Sequence, residues 1–319
     1  MNTEIIIFPA PDLPPALFSP TPKAARRVAE FFTGQVNNDN TRRAYVNATR
    51  RFSQWCDGRN IRQLADVQPI HVAAFIKELE KELSAPTVKQ HLAALRMLFD
   101  WLVTGHIIDV SPAHAVRGPK YSTKKGKTPV LSAEETGTLF KAIDTASLVG
   151  SRDRALIGLM AYTFARVSAA TSMKVEDCYL QGRRLFVQLH EKGGKRISLP
   201  CHHNLEMYLE EYIARAGIGG EKKAPLFRTA AGRSDTLRRN AMQQAEVYLM
   251  IQRRAAIAGI TTRINCHTFR ATGITTYLKN GGSIEVAQEI AGHESSRTTG
   301  LYDRRTDEVS LDEISRIKY

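Results

Sequence analysis

The segment from His267 to Tyr302, HTFRATGITTYLKNGGSIEVAQEIAGHESSRTTGLY, concentrates the residues of this 319-residue chain that could do chemistry. It holds a His-x-x-Arg pair (His267, Arg270), an Ala-Gly-His ending in His293, and Tyr302 nine residues further on. Two imidazoles, a guanidinium that stays charged and a phenol suit work on a phosphate ester. The guanidinium binds and neutralises phosphoryl oxygens. The imidazoles move or share protons. The phenol can attack phosphorus and hold it covalently. On a helix, residues i and i+3 share a face, so His267 and Arg270 can reach one phosphate.

Two further groups lie upstream. Arg166 sits in TFARVS, just past an apolar helix expected over Asp153 to Tyr162, and Lys192 lies in a glycine-containing turn, EKGGK, between two expected strands. Taken singly, each group has a plainer explanation: a structural ion pair, a surface imidazole, a core tyrosine. The order and spacing of all six carry the argument.

The rest of the sequence bounds what such a site acts on. Net charge is +13 and the pI about 9.7, an excess that repels itself unless a polyanion shares it; nucleic acid is the first partner to consider. Cys56, Cys178, Cys201 and Cys266 are far apart and form no CxxC pair, which speaks against a zinc site or disulfide framework and for reduced thiols in a cytoplasmic setting. No apolar run is long enough for a membrane span, and neither a metal nor a cofactor motif is present. Ile5 to Ile7 lack a basic stretch ahead of them, and prolines crowd residues 9–22, so residues 1–22 are expected to be an extended arm.

Periodicity predicts a first domain over residues 23–108, built of four helices: Lys23–Phe32, Thr41–Cys56, Pro69–Leu83 and a fourth capped by Ser84 that ends near Gly105. Tyr45, Ala48, Phe52 and Trp55 form the apolar stripe of the second. Arg43 and Arg50 point away from it, Arg42 and Arg51 flank it, and no acid lies between Thr41 and Cys56, which favours phosphate contact over a merely solvated face. Lys89 and Arg96 are the polar-side bases of the fourth helix. A basic linker, residues 109–130, carries Arg117, Lys120, Lys124, Lys125 and Lys127 without an acid after Val116, and is suited to lie along a DNA backbone.

A second domain, residues 131–319, opens on the capping box Ser132-Ala-Glu-Glu135. Expected next are strands Leu185–Leu189 and Arg196–Leu199, and a helix His203–Ala216 closed by Gly217. A long helix Asn240–Ala258 follows, with Ala241, Ala245, Tyr248 and Ala255 on one face. One helix then starts at His267 and stops at Asn280-Gly281, and another runs Ile284–Ala291 between Ser283 and Gly292. A short helix opened by Ser295 or Ser296 carries Tyr302, and a last helix spans Ser310–Ile317.

An arginine after an apolar helix, a lysine at a hairpin tip, His-x-x-Arg, Gly-His and a tyrosine nine residues on: in this order the chain resembles the tyrosine recombinase (phage integrase-like) family over nearly its whole length. TRRAYVNATRRFSQWC is similar to the family's core-binding domain, VLSAEE to the start of its catalytic domain, and YDRRTDEVSLDEISRI to its C-termini.

The resemblance implies a mainly α protein of two domains, a helical SAM-like DNA-binding domain and a mixed α+β catalytic domain with a small antiparallel sheet. Arg166 and Arg270 would clamp the scissile phosphate and Tyr302 would form a 3′-phosphotyrosine. Lys192 would protonate the 5′-oxygen, His267 would assist proton transfer and His293 would hydrogen-bond the phosphate. Neither metal nor ATP is implied. The implied partners are double-stranded DNA with inverted-repeat core sites and three further copies of the chain, a homo-tetramer on two paired sites, with the last helix docking on a neighbour. The short N-terminal arm implies a simple recombinase without an arm-binding domain. The alternatives are a type IB-like topoisomerase and a DNA-binding protein impaired in catalysis. The warrant for the last is that Ala165 and Ala169 stand where the family pattern has a leucine and an acid; Ala291 replaces a leucine before Gly-His.

Overall fold

The computed structural model describes residues 16–123, 126–191, 194–232, 234–304 and 314–315, which fall into two compact units, Met1–Ser122 and Thr123–Tyr319. The architecture is mainly helical with small antiparallel sheets, as expected. Among the described residues no helix is long and apolar enough to cross a membrane.

In the first unit, Thr21 caps α1 (Pro22–Glu30) by accepting from the Ala24 N–H, with Pro22 pre-set for the first turn. Thr33-Gly34 does not end this helix; the chain widens into a π turn over Phe31–Gln35, which buries Phe31 and Phe32. Asn38 caps α2 (Asp39–Asp57), which therefore begins a little earlier than its arginine-rich stretch suggests. α3 (Pro69–Glu82) and α4 (Ala85–Thr104, N-cap Ser84) follow. Phe18, Phe52, Phe75 and Phe99 meet in the core, with ring centroids 5.1 Å apart for Phe52–Phe75 and 5.7 Å for Phe18–Phe99. The first pair is edge-to-face and the second tilted; aromatic pairs add roughly 0.5–1.5 kcal/mol each beyond area burial. Phe18 belongs to a segment expected to be a loose arm; Leu17 and Phe18 are instead core residues, because two large apolar side chains outweigh the prolines beside them. Ala113 and Val116, in the expected linker, join the same core.

The second unit opens on α5 (Ala133–Ala142), where Ser132 and Glu135 form the reciprocal capping box. α6 (Leu148–Tyr162) starts five residues before its apolar run, because Ser147 caps it and Gly150 leaves room for the Asp144 carbonyl, which a Cβ would meet at 1.7 Å. α6 is buried nearly all round and is the central helix of the core. Its buried Asp153 accepts from Arg152 at 2.6 Å and from Arg254 at 2.7 Å, an ionic joint to a helix later in the chain. α7 (Val167–Ser172) leads to a three-stranded antiparallel sheet of β1 (Cys178–Gln181), β2 (Arg184–His190) and β3 (Arg196–Pro200). β1 is too short to show alternation and was not expected.

α8 (His203–Ala216) ends at Gly217 in the left-handed conformation. β4 (Arg228–Ala230) and β5 (Leu237–Ala241) form a second hairpin where the start of a long helix was expected. Helix α9 is shorter, Gln244–Ile257, its start marked by a Gln243/Glu246 capping box; its buried face is Val247, Met250, Ile251 and Ala255, while Tyr248 is exposed. α10 (Cys266–Lys279), α11 (Ile284–Ala291) and α12 (Ser296–Gly300) complete the described chain. The helix expected over Ser310–Ile317 lies outside the described residues apart from Ile314 and Ser315.

Candidate active site

The site assembles around α10. Asn265 caps this helix by accepting from the His267 N–H at 2.8 Å, which places His267 and Arg270 on its first turn. Gly273, three residues past Arg270, lets α10 press against the end of α6: a Cβ there would meet the Ala161 carbonyl at 2.2 Å and the Phe164 ring at 2.7 Å. Arg270 is 1% exposed, yet fully engaged. Its guanidinium donates to the Phe164 carbonyl and, at 2.6 Å, to the Ala291 carbonyl. Phe164 holds φ of 55°, a left-handed conformation that a bulky side chain rarely adopts, and its carbonyl is one of the two anchors. Burial, then the Arg166 charge, lower the Arg270 pKa from 12.5 to about 10, while Glu191 and a hydrogen bond with Tyr302 oppose the fall; the group stays charged at neutral pH.

Gly292 closes α11 with φ of 60° and turns the chain so that His293 points inward. The His293 and Gln288 backbones and side chain clasp each other: the His293 N–H donates to the Gln288 carbonyl at 3.1 Å, and the Gln288 amide returns a bond to the His293 carbonyl at 3.2 Å. His293 Nδ1 bonds Thr299 Oγ1 at 2.9 Å, and its ring stacks on Tyr302 with centroids 5.9 Å apart and planes 6° apart. Tyr302 lies in the turn just past α12, not within the helix as expected; Thr275 on α10 donates to its carbonyl at 2.8 Å. Tyr302 packs against the small apolar cluster of Phe164, Ile274, Leu278, Ala287 and Ala291.

Arg166 takes the N-cap position of α7. Its guanidinium is ion-paired with Glu191, whose side chain is 2% exposed against 29% for Arg166, and its N–H donates to the same carboxylate at 3.4 Å. Glu191 is the residue of this site that sequence reasoning missed, having been assigned only to a turn. A signal was present: β2 buries Leu185, Val187 and Leu189, and residue 191 is next in that phase.

Five of the six expected residues thus fall in one neighbourhood: the charges of Arg166 and Arg270 act on both His267 and His293, and Tyr302 lies beside Arg270 and under the His293 ring. Lys192 lies outside the described residues, although its neighbour Glu191 is at the centre of the site. Burial, then Arg270 and Arg166, push both histidines below the usual 6.5, His293 to about 3, so both imidazoles are neutral at pH 7. Two guanidiniums and one carboxylate then leave a net positive charge, a field suited to an anion.

A pH prediction follows from His293. The unfolded chain binds its proton at about 6.5 and the folded chain only at about 3, so this contribution to stability is complete above pH 6.5 and is lost as pH falls toward 3. At pH 5 the loss is about 2 kcal/mol. The melting temperature of the wild type should therefore fall more steeply between pH 7 and 5 than that of His293→Asn; parallel curves would contradict it.

The expected DNA contacts are placed unevenly. Arg43, Arg50, Lys89, Lys120 and Lys127 are exposed. Arg42 is turned inward instead, donating to the Phe32 carbonyl at 2.6 Å, the Val36 carbonyl at 3.0 Å and Asp39 at 2.8 Å. Arg51 pairs with Glu82 of α3, and Arg96 donates to the Ala113 and Val116 carbonyls, pinning the segment after α4. The acids that take up Arg42 and Arg51 lie at the first residue of the same helix and on another helix, so the acid-free run in the sequence overstated the free positive charge. Lys124 and Lys125 lie outside the described residues.

Residues 129–308 match the phage integrase family, and residues 35–106 match the phage integrase N-terminal SAM-like domain. The chain is 30% identical over 282 residues to tyrosine recombinase XerD of Mycobacterium tuberculosis (strain ATCC 25618 / H37Rv), covering 82% of this chain and 86% of the relative. Its fold is similar to that of XerH site-specific recombinase in a post-cleavage complex on palindromic difH substrate (TM-score 0.69, 21% identity, 92% of this chain and 81% of that one). It is similar also to that of a lambda integrase tetramer bound to a Holliday junction (TM-score 0.68, 17% identity, 90% and 80%). More than half of the chain matches the first of these family models, and the arginine, histidine and tyrosine motifs stand at one site within it: the chain belongs to the phage integrase, or tyrosine recombinase, family.

Proposed function

We propose that the protein is a site-specific DNA recombinase that cleaves and rejoins strands through a 3′-phosphotyrosine. The observation that carries this reading is one cluster: Arg270 anchored on the Phe164 and Ala291 carbonyls, the His293 ring stacked on Tyr302, and Arg166 two residues past Phe164 and held by Glu191. The guanidiniums neutralise the non-bridging oxygens of a phosphodiester and stabilise the charge that builds up at phosphorus. The Tyr302 oxygen attacks in line and forms the P–O bond to the protein while the bond to the 5′-oxygen breaks. Lys192 protonates that leaving oxygen, and neutral His267 takes part in removing the phenolic proton. His293, held by Thr299 and stacked on the phenol, hydrogen-bonds the phosphate and orients the tyrosine. The reverse step, with the 5′-hydroxyl of a second strand, releases Tyr302 and joins the strands. The phosphodiester energy is kept in the covalent link, so the chemistry calls for neither ATP nor metal.

The first domain would grip the duplex with Arg43, Arg50 and Lys89, and Lys120 and Lys127 would follow its backbone. The likeness to a lambda integrase tetramer on a Holliday junction supports a tetramer on two paired inverted-repeat sites. The test uses duplexes selected from a random-sequence pool by binding, each nicked near the centre so that the freed 5′ fragment diffuses away. The expected result is a denaturant-resistant adduct on the upstream strand, a free 5′-hydroxyl on the released fragment, and the same yield in excess EDTA. No adduct at any nick position would sink the reading.

A further inference from the structure

We propose that Glu191 is the positioning residue of Arg166: its carboxylate, fixed at the core-facing end of β2, aims the guanidinium into the site and ties it to the root of the Lys192 turn. The inference rests on the recombinase reading and deepens it.

Three observations carry it. First, the pair is asymmetric. Glu191 is sealed at 2% exposure, and Arg166, at 29%, is its outward-facing partner. An open carboxylate would repel a phosphate; a buried one with the guanidinium over it cannot meet the substrate and acts only through Arg166. The same carboxylate also takes the Arg166 backbone N–H, so it holds both the main chain and the head group of one residue.

Second, Glu191 is wedged between the elements that carry the other groups. A Cβ on Gly292, the residue before His293, would stand 3.7 Å from Glu191 Cγ. The Glu191 N–H donates to the Lys195 carbonyl at 2.8 Å, closing the turn that contains Lys192. One side chain thus registers the α6–α7 corner, the hairpin and the end of α11 against each other.

Third, no other acid among the described residues is ion-paired with Arg166. Ala169, one turn into α7, where the family pattern has an acid, is a buried methyl at 1% exposure. Glu191 supplies from β2 the carboxylate that α7 lacks. The loss of an acid at residue 169 is therefore no sign of an impaired site.

A double-mutant cycle on adduct formation with a selected, nicked duplex tests this, because the nick makes the adduct irreversible and slow rates readable. Glu191→Gln keeps the shape and loses the charge. On wild-type Arg166 it should slow the adduct by about 10- to 100-fold, with DNA binding in a mobility shift changed less than about threefold. On Arg166→Ala it should cost less than about twofold, since the group it positions is gone. An equal cost in both backgrounds would mean a merely structural residue and overturn the proposal. If Glu191→Gln unfolds, Glu191→Asp, which keeps the charge one methylene short, enters the same cycle with the same expectations. A wild type that forms no adduct overturns the recombinase reading and this role with it; a wild type that reacts while Glu191→Gln reacts equally fast overturns this role alone.

Discussion

Tyr302→Phe is expected to bind the selected duplex as tightly as the wild type and to form adduct at least ~10,000-fold more slowly, the scale on which losing a nucleophile acts. The ring that packs against the apolar cluster around Phe164 and stacks on His293 is retained, so the fold should be intact and the melting temperature within a few degrees. What disappears is the phenolic oxygen, the proposed nucleophile. Tyr277, on the same helix as Arg270, is the natural rival. Its ring lies against Phe164 at 6.2 Å and fills the space over Gly282, where a Cβ would meet it at 2.1 Å. Those contacts hold Tyr277 in a structural pocket, so it should not substitute for Tyr302. An adduct that persists in Tyr302→Phe and vanishes in Tyr277→Phe would reverse the assignment. Mobility shift and denaturing gel on one sample separate the two readouts.

What could be read in the sequence was what is written locally. Ser132 with Glu135, Ser283 with Gly292, and the i, i+3 pair His267/Arg270 each declare themselves within a turn or two, and each is found where expected. Elements that exist only through distant pairing were missed. β4 and β5 are short and strongly charged, so nothing in LRRNA reads as a strand until Arg228–Ala230 lies beside it. The same blindness touched the site. Arg42, Arg51 and Arg96 looked like free cations because their partners are mostly backbone carbonyls or, for Arg51, a carboxylate on another helix. Glu191 looked like a turn residue because Arg166 is 25 positions away. The one clue that needed no structure was the phase of β2, which points an acid at the core where only a buried cation could satisfy it.

Arg270 is where chemistry and fold are hardest to separate, and the largest combined loss is expected there. Arg270→Ala removes the proposed phosphate clamp, a loss expected at roughly 100- to 1,000-fold in rate for a single preorganised donor. It also leaves the Phe164 and Ala291 carbonyls without a donor in a buried place, at about 1–3 kcal/mol each. Destabilisation and inactivity should therefore appear together, and the alanine variant alone says little about mechanism. Arg270→Lys divides them. A lysine keeps the charge, but its single ammonium on a flexible stem cannot span two carbonyls on different elements and present a planar fork to a phosphate as well. Its melting temperature should lie between those of wild type and alanine, while its adduct rate stays at least 100-fold below wild type. A lysine variant that is stable and reacts at the wild-type rate would mean that Arg270 serves the fold and only lends its charge to the site. One that folds well and still fails would mean that the anchored geometry is itself the catalytic contribution: the strained carbonyl of Phe164 and the end of α11 would then matter because they aim one guanidinium at one phosphate.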